Sequence, residues 1–400
     1  MLDRMDPKSG KISQNLTTTS NIVSIGYLQG EFHMSSHAPF RADEVGSLLR
    51  PQAIKDARAA VEAGTLDAAG LKAVEDDCIR DVVAKQEEVG LKAVTDGEYR
   101  RSWWHFDFLA GLEGVEWIKA DALQFAGVQT KSESIGVTGK VDFDNHYMLE
   151  HFKYLKSVAT ETPKMTIPAP SVLHFRGGRK SISSDVYPDM DEFFQDTAEA
   201  YKKAVAAFYA AGCRYLQFDD TVWAYLCSEK EREAARERGD DPDPLPEIYA
   251  GMINHALSEK PDDMVITTHV CRGNFRSSWI SEGGYEPIAE MLLGGTNYNG
   301  YFLEYDSDRA GGFEPLRFLP KGDKRVVLGL VTSKFGDLES RDDIKKRIEE
   351  ASEFADVDQF CLSPQCGFAS TEEGNVLETQ QQWDKLAMIV DLAKEVWGEV

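Results

Sequence analysis

The sequence predicts an α/β fold, a (β/α)8 TIM barrel that occupies residues 38–400 as a single domain. Eight short apolar runs of strand length occur along the chain, and helical stretches separate most of them. Polar side chains stand at the ends of several of these runs, where the active face of such a barrel lies. The chain has 400 residues and 42% hydrophobic content, so it can bury one large barrel core or two smaller ones.

The predicted strands are short apolar stretches that end near Gly, Pro or charged residues. They are residues 40–45, 91–95, 165–168, 215–220, 264–270, 298–304, 326–331 and 358–363. The first ends in Gly46-Ser47, and the second continues into Asp96-Gly97-Glu98. Parallel barrel strands deliver their last residues to one face, so we expect these residues to share a rim.

The predicted helices follow the strands. Residues 51–63 begin with Pro51, a residue favoured in the first helical turn, and residues 67–89 place Leu71, Val74 and Ile79 at helical spacing. Further helices are predicted over residues 146–160, 190–211, 247–258, 285–293 and 341–355. Residues 102–145 are aromatic and then alternate in polarity, which predicts an inserted β-hairpin or lid after the second strand.

The first residues differ from the remainder of the chain. Residues 1–33 are rich in Ser, Thr, Asn and Gly and lack the apolar core of a secretory signal. We therefore expect residues 1–37 to form a disordered N-terminal extension, with Met34 as an alternative start.

Charge and cysteine content narrow the class of protein. The chain has 44 Lys and Arg against 68 Asp and Glu, a net charge of −24, which disfavours nucleic-acid and anionic-membrane partners. No apolar run approaches the roughly 18 residues of a membrane span. The six cysteines form no CxxC pair, as expected of reduced thiols. These features favour a cytoplasmic enzyme that acts on small molecules, and they leave a homo-oligomer open.

A metal site is predicted from four residues at strand ends. His269 and Cys271 lie two residues apart at the end of one strand, so their side chains share a face. Glu304 ends the next strand, and Cys366 follows the last one. One imidazole, two thiolates and one carboxylate form a set suited to Zn²⁺.

Simpler interpretations exist for these residues. His269 and Cys271 alone are also compatible with a buried thiol beside a hydrogen-bonded imidazole. Cys361 competes with Cys366 for the last ligand position, but it lies within an apolar strand where burial explains it. Cys366 stands beside Gly367, whose backbone freedom lets a thiolate reach the rim.

Together these motifs resemble the catalytic barrel of cobalamin-independent methionine synthases, most closely the shorter single-barrel relatives. The residues that carry the resemblance are Gly46-Ser47, Gly97-Glu98, Gln217-x-Asp219, His269-x-Cys271, Glu304 and the Pro364-x-Cys366-Gly367 loop. The resemblance implies one zinc ion per chain, bound by His269, Cys271, Glu304 and Cys366, and transfer of a methyl group from methyl-folate to homocysteine.

The resemblance also implies roles for residues around the metal. Gly46 and Ser47 would hold the carboxylate of the amino-acid substrate, while Glu98 and Asp219 would take its ammonium group, with Asp219 also counted among the catalytic residues. Phe175 matches an aromatic contact to the folate. Other interpretations are an ion pair of Glu98 with a neighbouring arginine, Arg100 or Arg101, and a helix cap by Asp219.

The sequence departs from the family pattern in the expected donor site. Thr332 stands where the longer enzymes have a His that protonates the departing folate nitrogen, and a hydroxyl is a poorer acid. His105 and His174 are candidate replacements. Tyr225 stands in place of an acidic folate contact. Trp103 and Trp104 could stack on a pterin or shield a methyl group, or they could simply pack the inserted segment.

Three functions follow from these expectations. The first is a zinc-dependent methyltransferase that makes methionine from homocysteine, with 5-methyltetrahydrofolate or its polyglutamate as donor. The second is a related alkyltransferase with another thiol or a non-folate donor such as a methyl-corrinoid. The third is a non-catalytic barrel that binds a metal or a thiol.

Overall fold

The computed structural model describes residues 38–119, 124–125, 128–129, 133–274, 280–371 and 374–400. Residues 1–37, where a disordered extension is predicted, lie outside the described residues. The strands are β1 (Ala93–Val94), β2 (Glu113–Lys119), β3 (Gln124–Phe125), β4 (Val128–Gln129), β5 (Glu133–Asp142), β6 (Thr162–Pro168), β7 (Tyr215–Asp219), β8 (Val265–Val270), β9 (Gly300–Glu304), β10 (Arg325–Val331) and β11 (Phe360–Pro364).

Seven of these strands form one parallel sheet in the order β1-β6-β7-β8-β9-β10-β11. Sequential strands are neighbours throughout, as in a barrel, and every neighbouring pair is parallel. The TIM-barrel class predicted from the sequence is confirmed, and seven of the eight predicted strands are present in this sheet.

The first predicted strand, residues 40–45, is reduced to a single parallel bridge between Ala42 and Leu362. The carboxylate of Asp43 explains the difference, because it accepts the backbone N–H groups of Phe40 at 3.2 Å and Glu44 at 2.8 Å. Such local side-chain bonds compete with a strand ladder. The segment still lies against β11, since the N–H of Asp43 donates to the carbonyl of Leu362 at 3.0 Å.

Helices follow most strands of the sheet, in the pattern of β/α units. They are α1 (Gln52–Glu62), α2 (Ala68–Val89), α3 (Phe106–Leu109), α4 (Met148–Val158), α5 (Pro170–Phe175), α6 (Met190–Ala210), α7 (Val222–Leu226), α8 (Glu229–Arg238), α9 (Leu245–Ala256), α10 (Glu286–Ala289), α11 (Arg341–Ala351) and α12 (Thr379–Trp397). Shorter helical turns are the 3-10 turns Gly178–Ser181, Asp308–Ala310, Glu314–Phe318 and Val357–Gln359 and the π turn Glu290–Gly294.

Local signals at both ends define the long helix α2. The side chain of Asp67 accepts from the N–H of Gly70, and Gly90 ends the helix with a φ of 103°. The C-terminal helix α12 was not among the helices predicted from the sequence. Its buried Leu386, Ile389 and Ala393 recur at helical spacing, so the signal was available.

The predicted insertion after the second strand is confirmed as a β-hairpin. Strands β2 and β5 pair antiparallel, with Trp117 opposite Ile135. Before the hairpin, Trp103 forms an isolated antiparallel bridge with Thr371, a residue of the loop after β11. This bridge brings the start of the insertion to the carboxyl face of the sheet.

A buried ion pair lies inside the sheet. Lys164 and Asp43 are 3.1 Å apart and their side chains are inaccessible to solvent. The hydroxyl of Tyr215 donates to the other oxygen of Asp43 at 2.8 Å, and the Lys164 ammonium lies 4.1 Å from the centre of the Phe302 ring. The charges are therefore fully partnered, which is the condition for burying them.

Candidate metal centre and active-site cleft

Four potential metal ligands meet at the carboxyl edge of the sheet. His269 lies in β8, Cys271 directly follows that strand, Glu304 ends β9, and Cys366 follows β11. One ligand atom from each residue lies within 4.8 Å of those of the other three, and all four residues are buried. Parallel strands deliver these side chains to one edge, as the sequence predicts.

The imidazole of His269 is held by an acidic neighbour. Its Nδ1 lies 3.0 Å from Oδ1 of Asp219, and that oxygen also accepts from Nε2 of Gln217 at 3.2 Å. A carboxylate can only accept, so the proton is on Nδ1 and Nε2 is left as the ligand atom. Burial lowers the pKa of His269, but the Cys366 thiolate and the Asp219 carboxylate outweigh burial, and the pKa is raised.

The two thiols form a close pair. Sγ of Cys271 and Sγ of Cys366 are 3.6 Å apart. This contact lowers the pKa of Cys366 and raises the pKa of Cys271, because one proton shared between the sulfurs stabilises one thiolate. The N–H of Gly273 donates to Sγ of Cys271 at 3.3 Å.

Glu304 is the remaining candidate ligand, and one of its two carboxylate oxygens lacks a hydrogen-bond partner among the described residues. Its Oε1 accepts from the N–H of Arg272 at 2.9 Å, whereas Oε2 is buried and has no hydrogen-bond partner among the described residues. Burial raises the pKa of Glu304 despite the opposing charge of Lys334. An imidazole nitrogen, two sulfurs and an unpartnered carboxylate oxygen fit the preferences of Zn²⁺.

A cleft opens beside these ligands. Seven residues predicted from the sequence line it, namely Ser47, Trp103, Trp104, Asp219, His269, Cys271 and Cys366. The other lining residues are Val45, Arg101, Arg176, Thr221, Tyr225, Gly273, Asn274, Gly367, Ser370 and Thr371. The cleft therefore joins the metal ligands to side chains from the inserted segment and from the loops after β6, β7 and β11.

A family model described as the catalytic domain of cobalamin-independent synthase matches residues 40–395. The chain belongs to the cobalamin-independent methionine synthase family.

Individual relatives agree with this family. Two proteins of Bacillus subtilis, the uncharacterized proteins YxjH and YxjG, are each 54% identical over 362 residues, which cover 90% of this chain and 95% of theirs. A methionine synthase of Sulfolobus acidocaldarius is 22% identical over 330 residues, 81% of this chain and 84% of its own.

Solved structures show the same fold. A protein of Listeria monocytogenes, provisionally assigned as a vitamin-B12-independent methionine synthase, superimposes with a TM-score of 0.74 at 46% identity, over 90% of this chain and 99% of its own. A B12-independent methionine synthase from Shewanella has a TM-score of 0.68 at 19% identity, over 89% of this chain and 98% of its own, and supports the fold alone. Family membership makes this chain a methyltransferase and disfavours a non-catalytic barrel.

Close packing fixes the positions of Gly46 and Ser47, the residues of this methionine synthase relative that are predicted to hold the substrate carboxylate. Gly46 has a φ of 145°, and a Cβ there would lie 2.6 Å from Oε1 of Glu98. A Cβ on Gly367 would lie only 1.9 Å from Oγ of Ser47. The N–H of Phe368 donates to the Ser47 carbonyl at 2.8 Å. Both glycines are thus required for Ser47 and Glu98 to reach their positions.

Glu98 forms an ion pair with an arginine, as in the alternative interpretation of this residue given above. Its carboxylate forms a buried ion pair with Arg101. The backbone of Glu98 has a φ of 58°, a region that non-glycine residues rarely adopt. Nη2 of Arg50 donates to its carbonyl at 3.0 Å. The predicted contact between Glu98 and a substrate ammonium group stays a prediction.

Two predicted donor-site residues lie outside the cleft lining. Thr332 is 3.5 Å from Oε1 of Gln365, and its N–H donates to Glu339 at 2.8 Å. Phe175 is buried behind the cleft, where its ring stacks on that of Tyr225 with centroids 5.8 Å apart. Neither position supports direct contact with the reacting atoms in this conformation.

The candidate histidines are also enclosed. His105 packs on Phe106 with centroids 3.9 Å apart, neither ring nitrogen has a hydrogen-bond partner in the described part of the chain, and burial holds its pKa well below the ordinary value. His174 lies 2.6 Å from the hydroxyl of Tyr249 and 3.4 Å from Asp240. A neutral, enclosed His105 is poorly suited to donate a proton at neutral pH.

The positions of the two thiols favour Cys366 over Cys361 as the fourth candidate ligand. Cys361 is buried in a small cluster with Val45, Phe302 and Val327, and Sγ lies 3.7 Å from the carbonyl of Pro39. It is not part of the metal-ligand group, whereas Cys366 is.

Two cationic residues of the cleft, Arg101 and Arg176, were not predicted from the sequence as cleft residues. Arg101 was considered only as a partner for Glu98. Arg176 directly follows Phe175, so its position after a strand was the available signal. No helix in the described part of the chain is long and apolar enough to cross a membrane.

Proposed function

We propose that this methyltransferase forms methionine by transferring a methyl group to the thiol of homocysteine, with zinc held by His269, Cys271, Glu304 and Cys366. The observation that supports the proposal best is the convergence of four buried candidate ligand atoms within 4.8 Å, three of whose residues line a cleft. The thiol of homocysteine has an ordinary pKa of about 8.5 and is mostly protonated at neutral pH. A zinc ion bound there would favour the thiolate, which is the nucleophile.

The chain's own residues prepare this site. Asp219 fixes the tautomer of His269, so that Nε2 remains a lone-pair donor. The thiolate attacks the methyl carbon, a sulfur–carbon bond forms, and the bond between the methyl group and the donor breaks with its electron pair left on the donor. The ion pair of Lys164 and Asp43 lies elsewhere inside the sheet and has no role in these steps.

The amino-acid part of homocysteine would lie between Ser47 and Asp219. The backbone of Gly46 and the hydroxyl of Ser47 are proposed to hold its carboxylate, and Asp219 its ammonium group. Glu98 is a weaker candidate for the ammonium group because Arg101 already neutralises its carboxylate.

For the donor, we propose 5-methyltetrahydrofolate or its polyglutamate. A Bacillus licheniformis protein described as 5-methyltetrahydropteroyltriglutamate–homocysteine methyltransferase is 24% identical over 320 residues, and the match covers 37% of that longer protein. Trp103 and Trp104 offer aromatic surface in the cleft. A second candidate is a non-folate donor such as a methyl-corrinoid, favoured by the position of Thr332 outside the cleft lining.

The test is methionine formation by the zinc-loaded full chain with homocysteine. Methyl-folate carrying one or three glutamates and methylcobalamin are supplied in parallel. Turnover with methyl-folate supports the first donor, and turnover with methylcobalamin alone supports the second. No methionine with any donor, in protein that contains one zinc per chain, would refute homocysteine methylation by these donors.

A further inference from the structure

Arg176 is a charged residue of the cleft with no assigned function. It directly follows α5, in the loop region after β6, and it lines the same cleft as Cys271. Its Nη1 donates to the hydroxyl of Tyr225 at 3.0 Å. Among the described residues, no carboxylate forms an ion pair with Arg176. The hydroxyl positions the guanidinium but is itself neutral, so it does not balance the positive charge.

The other charges in the cleft have partners. Arg101 pairs with Glu98, and Asp219 accepts from both His269 and Gln217. Of the two arginines in the described cleft lining, Arg101 is paired with Glu98, so Arg176 is the positive charge that an anionic ligand could neutralise. In a chain with 68 acidic and 44 basic residues, an arginine left without a carboxylate partner in a cleft is a specific feature.

Aromatic packing fixes the position of this guanidinium. The ring of Tyr225 stacks on Phe175 at 5.8 Å, and the guanidinium of Arg238 lies 5.4 Å from the centre of the Phe175 ring. Nη2 of Arg238 also donates to the carbonyl of Phe175 at 3.2 Å. A guanidinium held in this way loses little side-chain entropy when it binds an anion.

The elements around Arg176 indicate which substrate it meets. The carboxylate of homocysteine is proposed to bind Ser47, which packs against Gly367 in the loop after β11. Arg176 and Tyr225 instead follow β6 and β7, and with Trp104 they provide aromatic surface and one positive charge. An organic anion with a flat or methyl-bearing apolar body matches this combination.

We propose that Arg176 binds an anionic group of the methyl donor, so that the donor is a carboxylate rather than a neutral or purely cationic molecule. This inference rests on the proposed function. It restricts the second substrate, the methyl donor, to molecules that carry an anionic group. A carboxylate from a glutamate tail and a carboxylate on a sulfonium donor would present the same chemistry to the guanidinium.

The experiment measures binding of two donor probes without homocysteine, on the zinc-loaded full chain, by calorimetry. The probes are methyl-folate with one glutamate and 3-dimethylsulfoniopropionate, each compared with its carboxamide form. At least one acid should bind roughly tenfold to a hundredfold more tightly than its amide. Arg176→Gln should remove that preference, and Arg176→Lys should restore part of it. Arg236→Gln, on the exposed helix α8, is the matched control and should change nothing.

Several outcomes would overturn the proposal. They are equal affinity for acid and amide with both probes, absence of binding of both acids, or an unchanged preference in a folded Arg176→Gln variant. A loss of homocysteine affinity in Arg176→Gln, with donor affinity unchanged, would assign the residue to the acceptor instead. Because these readouts need no turnover, a preference for the acid in an enzyme that makes no methionine would refute the proposed function alone.

Discussion

His269 and Asp219 are joined by a hydrogen bond of 3.0 Å between Nδ1 and Oδ1, on the side of the imidazole away from Nε2. Asp219 ends β7, His269 is the penultimate residue of β8, and the two are paired directly in the register of these parallel strands. The carboxylate therefore reaches the imidazole without any loop in between, and the orientation of the ligand is set by the sheet itself.

Replacing Asp219 with Asn should weaken metal binding. An amide can donate as well as accept, so it no longer enforces the proton on Nδ1, and the affinity for zinc should fall about tenfold to a hundredfold. Competition with a chromogenic chelator measures it. Asp220→Asn is the control, because Asp220 accepts from the hydroxyl of Ser171 and the N–H of Val222. Equal zinc affinity in Asp219→Asn and the unaltered protein would argue against this role.

Removing the thiol of Cys366 should abolish tight zinc binding. Cys366→Ala eliminates one of the four proposed ligands, so the purified protein should contain far less than one zinc per chain by elemental analysis. Cys361→Ala removes a buried thiol on the adjoining strand β11 and should retain the metal. Full zinc content in folded Cys366→Ala would refute the proposed ligand set.

A methyl group on Gly367 should impair the enzyme through Ser47. The new Cβ would lie 1.9 Å from Oγ of Ser47, so the serine must move, and overpacking of this kind costs about 1–3 kcal/mol. We expect Gly367→Ala to raise KM for homocysteine, measured by initial rates at saturating donor. Gly251→Ala in α9 has open space around its new Cβ and should leave KM unchanged. An unaltered KM in Gly367→Ala would mean that Ser47 does not contact this substrate.

Glu44 should make stability fall as pH rises. Burial raises its pKa from 4.5 to about 8, despite the opposing charge of Lys164 and the hydrogen bond from Thr95. The folded state thus holds a proton that the unfolded state releases, and this contribution is complete below about pH 4.5 and lost as pH rises through about 8.

The corresponding measurement is denaturant unfolding at pH values from about 5 to about 8.5, a range that covers most of the titration of Glu44. The unaltered protein should lose stability relative to Glu44→Gln as pH rises, by up to several kcal/mol, since each pKa unit corresponds to about 1.4 kcal/mol. Glu62→Gln, at the exposed end of α1, should show no such divergence. Parallel pH curves for the unaltered protein and Glu44→Gln would disprove this assignment.

The sequence was sufficient for the features that depend on periodicity. Seven apolar runs became strands of the sheet, and ligands at their ends met because parallel strands finish on one edge. It could not anticipate the reduction of residues 40–45 to a bridge, which depends on two backbone N–H groups that both turn to the carboxylate of Asp43. The ion pair of Glu98 with Arg101 was the less favoured interpretation, and spacing alone could not distinguish Arg100 from Arg101 as the partner.

The positions of side chains in the expected donor site were harder to predict from the sequence, for a physical reason. Periodicity says nothing about which loop side chains turn inward, and Arg176 and Phe175 are adjacent in sequence but differ in position. Phe175 packs behind Tyr225, whereas Arg176 reaches the cleft. Thr332 occupies the expected place in the chain, yet its contacts with Gln365 and Glu339 turn it toward neighbouring loops.

The bridge between Trp103 and Thr371 ties the inserted segment to the loop that contains Cys366. Under the proposed function, thiol activation and donor recognition would depend on separate stretches of chain, and this bridge joins them. A relative could acquire a new alkyl donor by exchanging the insertion and the loops after β6 and β7, while the four ligands remain untouched. If the proposed function holds, the ligand-bearing strands would supply the nucleophile in each relative, and exchange of the insertion and these loops between relatives would be a direct route to altered donor specificity.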